Sequence, residues 1–421
     1  MRRTSMDLAH GDGGSSNWWA LSALGLGAFV VGTAELLVVG VLNLVAQDLG
    51  VSVSTAGMLV TGYALGISIG GPLLSAVTIR LDRRLLLWLS LLVYLAGNVL
   101  TLASGSFGML LTSRILTGSV HGLFIGVAFA VAAGLVPRQR QGQAMAVVMG
   151  GITVSIVVGV PLGTLIGQAI SWRAAFVVVV MLAAVALAAA ILLVPRVAAR
   201  GAGNFAAQAH AAFAPRVLAM LGVGLLLMGG QFTAFTYLEP YLENVTGISG
   251  GAVSGFLLIY GIAAAAGTFI GGRAADRSAT VTLVAANALL LPALGLLYLL
   301  GSVPVAVAVV LAGWAIVGLG LVPALQLRVI GLAGEGADLA ATLGVSAVNA
   351  GIAGGSLVGG AVVAGSGVHS VVLAALLVCA VALPASWATG LLVPPRAARE
   401  RLPRPETARA AVVQDVKASR S

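Results

Sequence analysis

Residues 18–46 read WWALSALGLGAFVVGTAELLVVGVLNLVA, and Glu35 is the only charged residue among them. An α-helix needs about 20 mostly apolar residues to cross about 30 Å of hydrocarbon, so this stretch is long enough to span a bilayer. The run is continuously apolar instead of alternating between apolar and polar residues, which disfavours a strand of a membrane barrel. We therefore expect a transmembrane helix that carries one carboxyl group within it.

The rest of the chain has the same character. Of the 421 residues, 59% are hydrophobic and 8% are charged, whereas a soluble globular domain carries about 25% charged residues. With charges and turn residues as boundaries, the sequence contains twelve apolar runs, which are 18–46, 53–78, 85–104, 107–136, 143–169, 174–194, 217–240, 251–272, 280–300, 303–331, 340–365 and 369–392. The pattern predicts an all-α membrane protein with twelve spans.

The basic residues indicate how the spans are oriented. Of the 22 basic residues, 21 are arginine, and the remaining one is Lys417. If the N-terminus lies inside, 20 of the 22 fall on the cytoplasmic side, and only Arg114 and Arg173 lie elsewhere. Cytoplasmic loops of membrane proteins are enriched in Lys and Arg. We therefore expect both termini in the cytoplasm and the protein in the cell membrane, meaning the inner or plasma membrane.

The longest polar interruption, residues 195–216, separates six runs from six. The expected units are an N-terminal six-helix half over 1–195, a cytoplasmic central loop over 196–216, a C-terminal six-helix half over 217–395 and a cytoplasmic tail over 396–421. The tail is rich in Arg, Pro and Ala and is expected to be disordered. No segment outside the spans is long enough for an independent enzyme domain.

A repeat relates the two halves. Residues Tyr63–Arg80 in the second run and Tyr260–Arg277 in the eighth run have the same length and are offset by 197 positions, and Gly70 matches Gly267. Both segments end in the short turn before the next run. Internal repeats in membrane proteins accompany alternating access, in which two repeats move around a site near the midplane. The match indicates a duplicated transporter.

Several kinds of chemistry are excluded by composition. A Walker A loop needs a lysine after its glycine-rich segment, and Lys417 lies in the polar tail. Cys379 is the single cysteine, so no intrachain disulfide or cysteine-based zinc site forms. The arginines are scattered among hydrophobic runs and form no basic stripe for nucleic acid. We expect no cofactor, no metal and no nucleic-acid partner.

Residues 71–84, GPLLSAVTIRLDRR, resemble the signature loop of the major facilitator superfamily. Ile79 stands where the family has an aspartate and Asp82 where it has a glycine, while the second half keeps Asp276-Arg277. In the family that acid helps to lock the inward gate, so the resemblance implies that the gate of the first half is weaker or uses Asp82 differently. The gate residues carried over from the family are Gly71, Arg80, Arg83, Arg84, Asp276 and Arg277.

Further motifs extend this resemblance over all twelve runs. Arg114-x-x-x-Gly118 resembles the second family motif, and Gly151 with residues 159–163, GVPLG, resembles the antiporter motif of drug exporters. Shorter segments similar to bacterial arabinose-efflux and drug-efflux permeases are 32–35 (GTAE), 172–173 (WR) and 323–328 (PALQLR). The resemblance implies the major facilitator fold, with twelve transmembrane helices in two pseudo-symmetric six-helix halves.

The glycines of the fifth run have a specific use. Gly159 and Gly163 form a G-x-x-x-G face that permits close helix approach, and Gly151 lies eight residues before Gly159. Pro161 removes a backbone donor between them and can kink the helix. We expect this helix to pack against the other half and to bend during gating.

Three titratable groups lie well inside the runs, namely Glu35, Arg114 and His121. A charge at the bilayer centre costs at least about 2.5–3.5 kcal/mol, so each is a candidate functional residue. Glu35 and Arg114 both fall in the outer half of the bilayer, where an ion pair between them is allowed. His121 lies seven residues after Arg114, which returns it to the same helix face about 10 Å deeper. We expect these three residues to couple protons to substrate.

Each of these groups also has a structural interpretation. A pair of Glu35 and Arg114 can simply hold two spans together, and His121 can be a core histidine bonded to a backbone carbonyl. Glu239 and Glu243 flank Pro240 at the outer end of the seventh run, where the edge of a solvated vestibule is favoured over a binding role.

The sequence therefore predicts a monomeric twelve-span secondary transporter. It is expected to export a small lipophilic or amphipathic compound, a drug or a metabolite, in exchange for protons and without enzyme activity. One alternative is a sugar or nutrient permease of the same fold, against which the antiporter-like motif argues. The other is a membrane-embedded enzyme or receptor, although the sequence lacks a His-Glu-x-x-His motif and paired aspartates within the runs.

Overall fold

The computed structural model describes residues 13–78, 81–137, 140–196 and 205–393, and all regular structure in these ranges is helical. In the first half, span 1 comprises Gly13–Leu37, the 3₁₀ turn Val38–Val41 and Leu42–Asp48; span 2 comprises Val53–Leu65, the π-turn Gly66–Gly70 and Gly71–Val77; span 3 is Arg83–Ala103; span 4 is Phe107–Gly134; span 5 comprises Gln141–Val154, the π-turn Ser155–Gly159 and Val160–Ala169; and span 6 is Trp172–Leu193.

In the second half, a short helix Phe205–Ala212 precedes span 7, Pro215–Phe235, which is followed outside the span by the segment Leu238–Tyr241 and the π-turn Leu242–Thr246. The long helix Gly251–Leu300 contains spans 8 and 9; span 10 is Pro304–Ala333 with the 3₁₀ turn Gly334–Gly336; span 11 is Ala337–Ser366; and span 12 is Ser370–Ala388 with the 3₁₀ turn Thr389–Leu391.

The twelve predicted runs correspond to these spans. Within the described residues, eleven helices are long and apolar enough to cross a membrane, and one of them is the 50-residue helix Gly251–Leu300. Its backbone is non-helical at Ser278, with φ −160° and ψ 98°, so it consists of two spans joined at a sharp break. The predicted all-α fold with twelve spans is confirmed.

Polar caps set where several spans begin. The Asp82 carboxylate accepts hydrogen bonds from the backbone N–H groups of Arg84 and Leu85, at 2.9 and 3.1 Å, and so caps span 3. Ser106 and Ser171 cap spans 4 and 6 in the same way. These side chains satisfy donors that have no partner within the helix. In this structure Asp82, which replaces the family's glycine, therefore serves as a helix cap.

The packing of spans 2 and 4 repeats in spans 8 and 10. A Cβ atom on Gly70 would collide with Ser119 of span 4, and one on Gly267 would collide with Ile316 of span 10. Each pair is separated by 49 positions in the sequence, and the two pairs are related by the same offset of 197. The repeat seen in the sequence is therefore also a repeat of helix contacts.

The two ends of the bundle differ in charge. Odd-numbered spans begin at an end that we call the arginine-rich face, which carries eight of the ten described arginines: Arg83, Arg84, Arg140, Arg196, Arg216, Arg273, Arg277 and Arg328. At the opposite end, the arginine-poor face, Arg173 contacts Asp48 at 2.5 Å and links spans 1 and 6. Arg114 lies between the two faces. This asymmetry is the one predicted from the arginine distribution.

Part of the predicted central loop is helical. The helix Phe205–Ala212 packs against Gly334–Gly336 and the start of span 11, with Ala212 fully buried. Arg216 Nε donates to the Leu332 carbonyl oxygen at 2.8 Å and holds the start of span 7 on the end of span 10. The proposed tail 396–421, both chain ends and Arg80 lie outside the described residues.

The close contact of spans 8 and 10 gives a stability prediction. A Cβ on Gly271 would collide with the Gly320 backbone, whereas its neighbour Gly272 has open space around it. Gly271→Ala is expected to destabilise the protein by about 1–3 kcal/mol, since backbone atoms must move apart. Gly272→Ala is the matched control and should leave the thermal unfolding midpoint in detergent unchanged. Equal midpoints for the two variants would contradict this account of the packing.

Candidate functional site

A buried arginine forms the centre of the candidate site. Arg114 of span 4 is 1% exposed, and its two terminal nitrogens donate to main-chain carbonyl oxygens of span 1, at 2.8 Å to Ala34 and 3.0 Å to Glu35. Its guanidinium carbon lies 4.0 Å from the centre of the Tyr63 ring of span 2. Two carbonyl groups and an aromatic face thus replace water around the cation. Arg114 fixes the position of span 1 relative to spans 2 and 4.

The Glu35 side chain lies against His121. Its carboxylate Oε2 is 3.8 Å from Nδ1 of His121, which is also 3.0 Å from the hydroxyl oxygen of Tyr63. The Tyr63 hydroxyl in turn lies 3.2 Å from that of Tyr94 in span 3. The Glu35 side chain is 22% exposed and that of His121 is 7% exposed. Glu35 is thus the more accessible end of a connected series of titratable groups.

The structure brings together the three groups singled out in the sequence, but it pairs them differently. Within the described ranges, the Glu35 carboxylate contacts the His121 ring and Asp48 pairs with Arg173, and no direct pair of Glu35 and Arg114 is formed. The reason is geometric, because the guanidinium is already occupied by the span 1 carbonyl groups. Arg114 and His121 do share a helix face, since both contact Tyr63.

Tyr63 and Tyr94 also belong to this site, although the sequence pattern does not mark them as functional residues. Tyr63 marks the start of the internal repeat, but a tyrosine in an apolar run carries no signal of the side chains that it will contact. Both tyrosines are 1% exposed, and their hydroxyl groups also reach toward the Val31 carbonyl oxygen at 3.3 and 3.5 Å. They connect spans 2 and 3 to the first helix of span 1, Gly13–Leu37.

The second half carries a neutral counterpart of this site. At the offset of 197, Arg114 corresponds to Leu311 and His121 to Gly318, while Tyr63 corresponds to Tyr260. Gln231 of span 7 approaches Gly318, with its Nε2 3.4 Å from the carbonyl oxygen, and it accepts a hydrogen bond from Trp314 Nε1 at 3.2 Å. The charges of the duplicated site are therefore confined to the first half.

Aromatic rings surround Tyr260 where charges surround Tyr63. The ring centres of Phe235 and Tyr260 are 4.7 Å apart, and Trp314 stands edge-on to both, at 6.2 and 5.9 Å. Phe232 extends the group, 5.3 Å from Phe235. We call these four residues the aromatic cluster. Such rings present large apolar surfaces with few polar groups.

Spans 2 and 11 join the two halves through an antiparallel series of hydrogen bonds. Ser54 donates to the Gly360 carbonyl at 2.7 Å, and Ser356 donates to the Gly57 carbonyl at 2.9 Å. The same series continues along the helices with Thr61 to Ala353, at 3.4 Å, and Ser68 to Ser346, at 2.8 Å. It runs from the arginine-poor face past the middle of span 2. Beyond it, Leu73 and Val77 are exposed.

Spans 5 and 8 form the second contact between the halves. A Cβ on Gly261 would collide with the Ile156 carbonyl, and one on Gly251 would touch Leu165. Span 8 packs mainly on Ser155–Gly159 and Val160–Ala169, the part of span 5 nearest the arginine-poor face. Together with spans 2 and 11, these contacts close the arginine-poor face.

Within the described ranges, the predicted gate residues are not engaged across the halves. Gly71 packs against Gly122 of span 4, in its own half. Arg84 donates to the Ile191 carbonyl at 2.9 Å and lies over the Trp88 ring, which also keeps it in the first half. Within the part of the chain that the structure describes, Arg83, Asp276 and Arg277 have no ionic partner. Arg80 is outside the described ranges.

The glycines of the antiporter-like motif face their own half. Cβ atoms on Gly151, Gly159 and Gly163 would collide with Gly25, Thr33 and Leu37 of span 1, respectively. The expected contact of this helix with the other half is made by the Ile156 backbone and not by these glycines. A π-turn, Ser155–Gly159, directly precedes Pro161, which removes a backbone donor at the start of the segment Val160–Ala169.

Glu239 is also buried, although it was expected at the solvated edge of a vestibule. It is 0% exposed. Its carboxylate accepts hydrogen bonds from the Asn43 backbone N–H, at 2.7 Å, and from Gln168 Nε2, at 2.9 Å, both in the first half. The interpretation as a vestibule edge is therefore wrong for Glu239. The sequence around Glu239 does not predict this burial, because the residues that cover it belong to the other half of the chain.

Comparison with known proteins places the fold. The family model described as Major Facilitator Superfamily matches residues 24–342. Among solved structures, a bacterial homolog to the human lysosomal transporter Spinster, in an inward-facing and unoccupied conformation, aligns with a TM-score of 0.71 at 15% identity, covering 90% of this chain and 98% of that one. The human organic anion transporter MFSD10 aligns with a TM-score of 0.63 at 18% identity, covering 88% and 99%. At these identities the likeness establishes the fold alone.

Curated relatives are closer in sequence. The uncharacterized MFS-type transporter YtbD of Bacillus subtilis is 37% identical, covering 80% of this chain and 87% of the relative. The inner membrane transport protein YdhP of Escherichia coli K12 is 32% identical, covering 80% and 86%, and a chloramphenicol resistance protein of Streptomyces lividans is 31% identical, covering 79% and 86%. The family consists of transporters, which rules out the alternative of an enzyme. This multi-pass membrane protein belongs to the major facilitator superfamily.

Proposed function

We propose that this protein exports a small lipophilic or amphipathic organic compound, a drug or a metabolite, across the cell membrane in exchange for protons. The observation that carries the proposal is the contact of the partly exposed Glu35 carboxylate with His121 beside the buried cation Arg114. A carboxylate held inside a span, next to groups that respond to its charge, is the arrangement that a proton-coupled carrier requires. The proton site then lies in the first half of the chain.

The proposed orientation puts the arginine-rich face in the cytoplasm, with both termini, because positively charged loops stay inside. The two six-helix halves, residues 1–195 and 217–395, are then the two bodies that move during transport, joined by the segment 196–216. The arginine-poor face is fastened in this structure by spans 2 and 11 and by spans 5 and 8. We propose that the protein loads cargo from the cytoplasm in this state. We propose that the protein works as a monomer.

The proposed coupling begins with Glu35. When the arginine-poor face opens, Glu35 takes a proton from outside and loses its electrostatic attraction to Arg114. Arg114 holds span 1 in place through the Ala34 and Glu35 carbonyl groups. The change of charge therefore moves the Glu35 side chain and the contacts between the halves, while span 1 stays helical. Release of the proton to the cytoplasm restores the charge. Cargo and proton thus alternate in one cavity between the halves.

The proposed cargo follows from the second half of the site. The aromatic cluster and Gln231 replace the charges found in the first half, so this side favours apolar or weakly polar cargo over phosphorylated compounds. The relative from Streptomyces lividans named as a chloramphenicol resistance protein supports a drug as cargo. A nutrient permease would instead move its substrate into the cell, in the same direction as proton entry.

The first test replaces the proposed proton carrier. Glu35→Gln removes the charge while keeping the shape, and it is expected to lower cargo export driven by a pH gradient by about 5- to 150-fold, the range typical of a coupling free energy of about 1–3 kcal/mol. Transport is measured in proteoliposomes with a panel of lipophilic compounds that includes chloramphenicol, with and without an uncoupler. Exposed Glu335→Gln is the matched control and should transport normally.

Two results would count against this function. If Glu35→Gln exports at the wild-type rate and retains its dependence on the pH gradient, Glu35 is not the proton carrier. If the wild-type protein accumulates cargo in the direction of proton entry, the protein is a nutrient permease and the export proposal is wrong.

The second test concerns the shape of the cation. Arg114→Lys keeps the charge but cannot donate to the Ala34 and Glu35 carbonyls as a planar fork. Loss of these bonds is expected to destabilise the protein by about 1.5–3 kcal/mol and to reduce export to a similar extent as Glu35→Gln. Arg196→Lys, at an exposed position, is the control. Wild-type stability and export in Arg114→Lys would show that only the charge at this position matters.

A further inference from the structure

A second carboxylate joins the two halves away from the proposed proton site. Glu239 follows span 7 and is 0% exposed. Its Oε2 accepts from the Asn43 backbone N–H of span 1 at 2.7 Å, and its Oε1 accepts from Gln168 Nε2 of span 5 at 2.9 Å. These donors all belong to the first half, whereas Glu239 belongs to the second. Separation of the halves at the arginine-poor face therefore removes these hydrogen bonds together.

Span 1 is interrupted where Glu239 binds. The 3₁₀ turn Val38–Val41 ends with Val41 outside the helical region, at φ −133° and ψ 21°, and the helix restarts at Leu42–Asp48. The Asn43 N–H lies in the first turn of this restarted helix, where backbone donors lack partners within the helix. Glu239 supplies the missing acceptor from the opposite half. Gln168 fastens the same break from span 5, donating to the Gly40 carbonyl at 3.3 Å.

Among the residues that the structure describes, no cation faces Glu239. Span 1 contributes the Leu42 and Asn43 amides and span 5 contributes Gln168, none of which titrates. The titratable group that faces Glu239 is Glu243, one turn later on its own segment, whose carboxylate accepts from the Asn43 side-chain amide. Burial, reinforced by the Glu243 charge and opposed by the Asn43 hydrogen bond, raises the pKa of Glu239 to about 8. The closed face thus favours the neutral acid.

We infer that Glu239 is a positioning residue of the transport cycle, a proton-dependent latch that holds the arginine-poor face closed by fastening the second half to the break in span 1. The inference rests on the proposed function, because it assumes that this face opens during transport. Glu35 lies eight residues before Asn43, on the other side of the same break. Release of the latch frees the part of span 1 that follows the proposed proton carrier, which links opening of this face to the site of Glu35.

The sign of the pH dependence follows from the two states. In the open state Glu239 meets water and regains an ordinary glutamate pKa of about 4.3, whereas the closed state holds the proton up to about pH 8. A bound proton therefore stabilises the closed face fully below about pH 4.3, and this stabilisation is lost as the pH rises through about 8. When protonated, the acid donates to the side-chain oxygen of Gln168, whose amide turns over and exchanges its bond to the Gly40 carbonyl for this one.

Alkylation of a buried cysteine measures the opening directly. Ser356→Cys, placed in a Cys379→Ala background, puts the reporter on span 11 within the contact to Gly57, where Ser356 is 1% exposed. A maleimide reacts with it in proportion to the open population, even when that population is small. Exposed Gly365→Cys on the same span corrects each rate for the pH dependence of thiol reactivity. The full chain is used in detergent, where no proton gradient is needed.

Two substitutions should act in opposite directions. Glu239→Ala leaves the Asn43 N–H and Gln168 without their acceptor and is expected to raise the corrected alkylation rate about 10-fold or more at pH 6. Glu239→Gln imitates the protonated acid and should keep the face closed. Between pH 6 and 8.5 the wild-type rate is expected to rise by about 10- to 100-fold, and this rise should be absent in Glu239→Gln.

The latch is refuted if Glu239→Ala alkylates at the wild-type rate, or if Glu239→Gln shows the same rise with pH as the wild type. Glu335→Gln is the control for loss of a carboxylate elsewhere. If Glu239→Ala fails to fold, the pH series of Glu239→Gln decides the outcome alone. Failure of the latch leaves export by the wild-type protein in proteoliposomes intact, whereas failure of the proposed function abolishes that export and leaves the alkylation result unchanged, so the two failures are distinguishable.

Discussion

The hydrocarbon core of a bilayer offers no hydrogen-bond partner to a charge or to a backbone polar group, and the architecture of this protein follows from that constraint. Each span is helical, which satisfies its own backbone. Where a charge is embedded, the protein supplies the partners that water would give. Arg114 shows this directly, because two carbonyl groups of span 1 and the Tyr63 ring surround it. The cation in turn fixes the position of the carboxylate-bearing turn at Glu35.

The same constraint governs how the helices associate. Burial of apolar surface does not drive helices together in lipid, so close packing and interhelical hydrogen bonds take its place. Within the first half, glycines of span 5 allow the backbone of span 1 to approach closely. Between the halves, serine and threonine hydroxyl groups of spans 2 and 11 donate to opposing carbonyls. The glycine contacts within the first half bring two backbones close together. The hydroxyl–carbonyl hydrogen bonds between the halves can be replaced by hydrogen bonds to water, as an opening of this interface in the proposed mechanism would require.

Duplication has produced two halves with the same helix contacts and different chemistry. The pairs Gly70–Ser119 and Gly267–Ile316 occupy equivalent places, yet the position of Arg114 is taken by a leucine in the second half. One half therefore holds the embedded charged and titratable groups, and the other holds aromatic surface. In the proposed mechanism this division lets a single cavity accept protons and apolar cargo without a charged wall on both sides.

The sequence alone determined the twelve spans, the asymmetry of the arginines, the repeat and the family, because these depend on local composition and on the length of hydrophobic runs. It also identified Glu35, Arg114 and His121, since a charge in an apolar run is conspicuous. Only the tertiary structure decided which partners these groups take, because those partners come from helices distant in sequence. The Arg114 guanidinium binds carbonyl groups, which every residue possesses and which no sequence pattern marks. Glu239 is buried for the same reason, since the donors that cover it lie about 70 and 200 residues earlier in the chain.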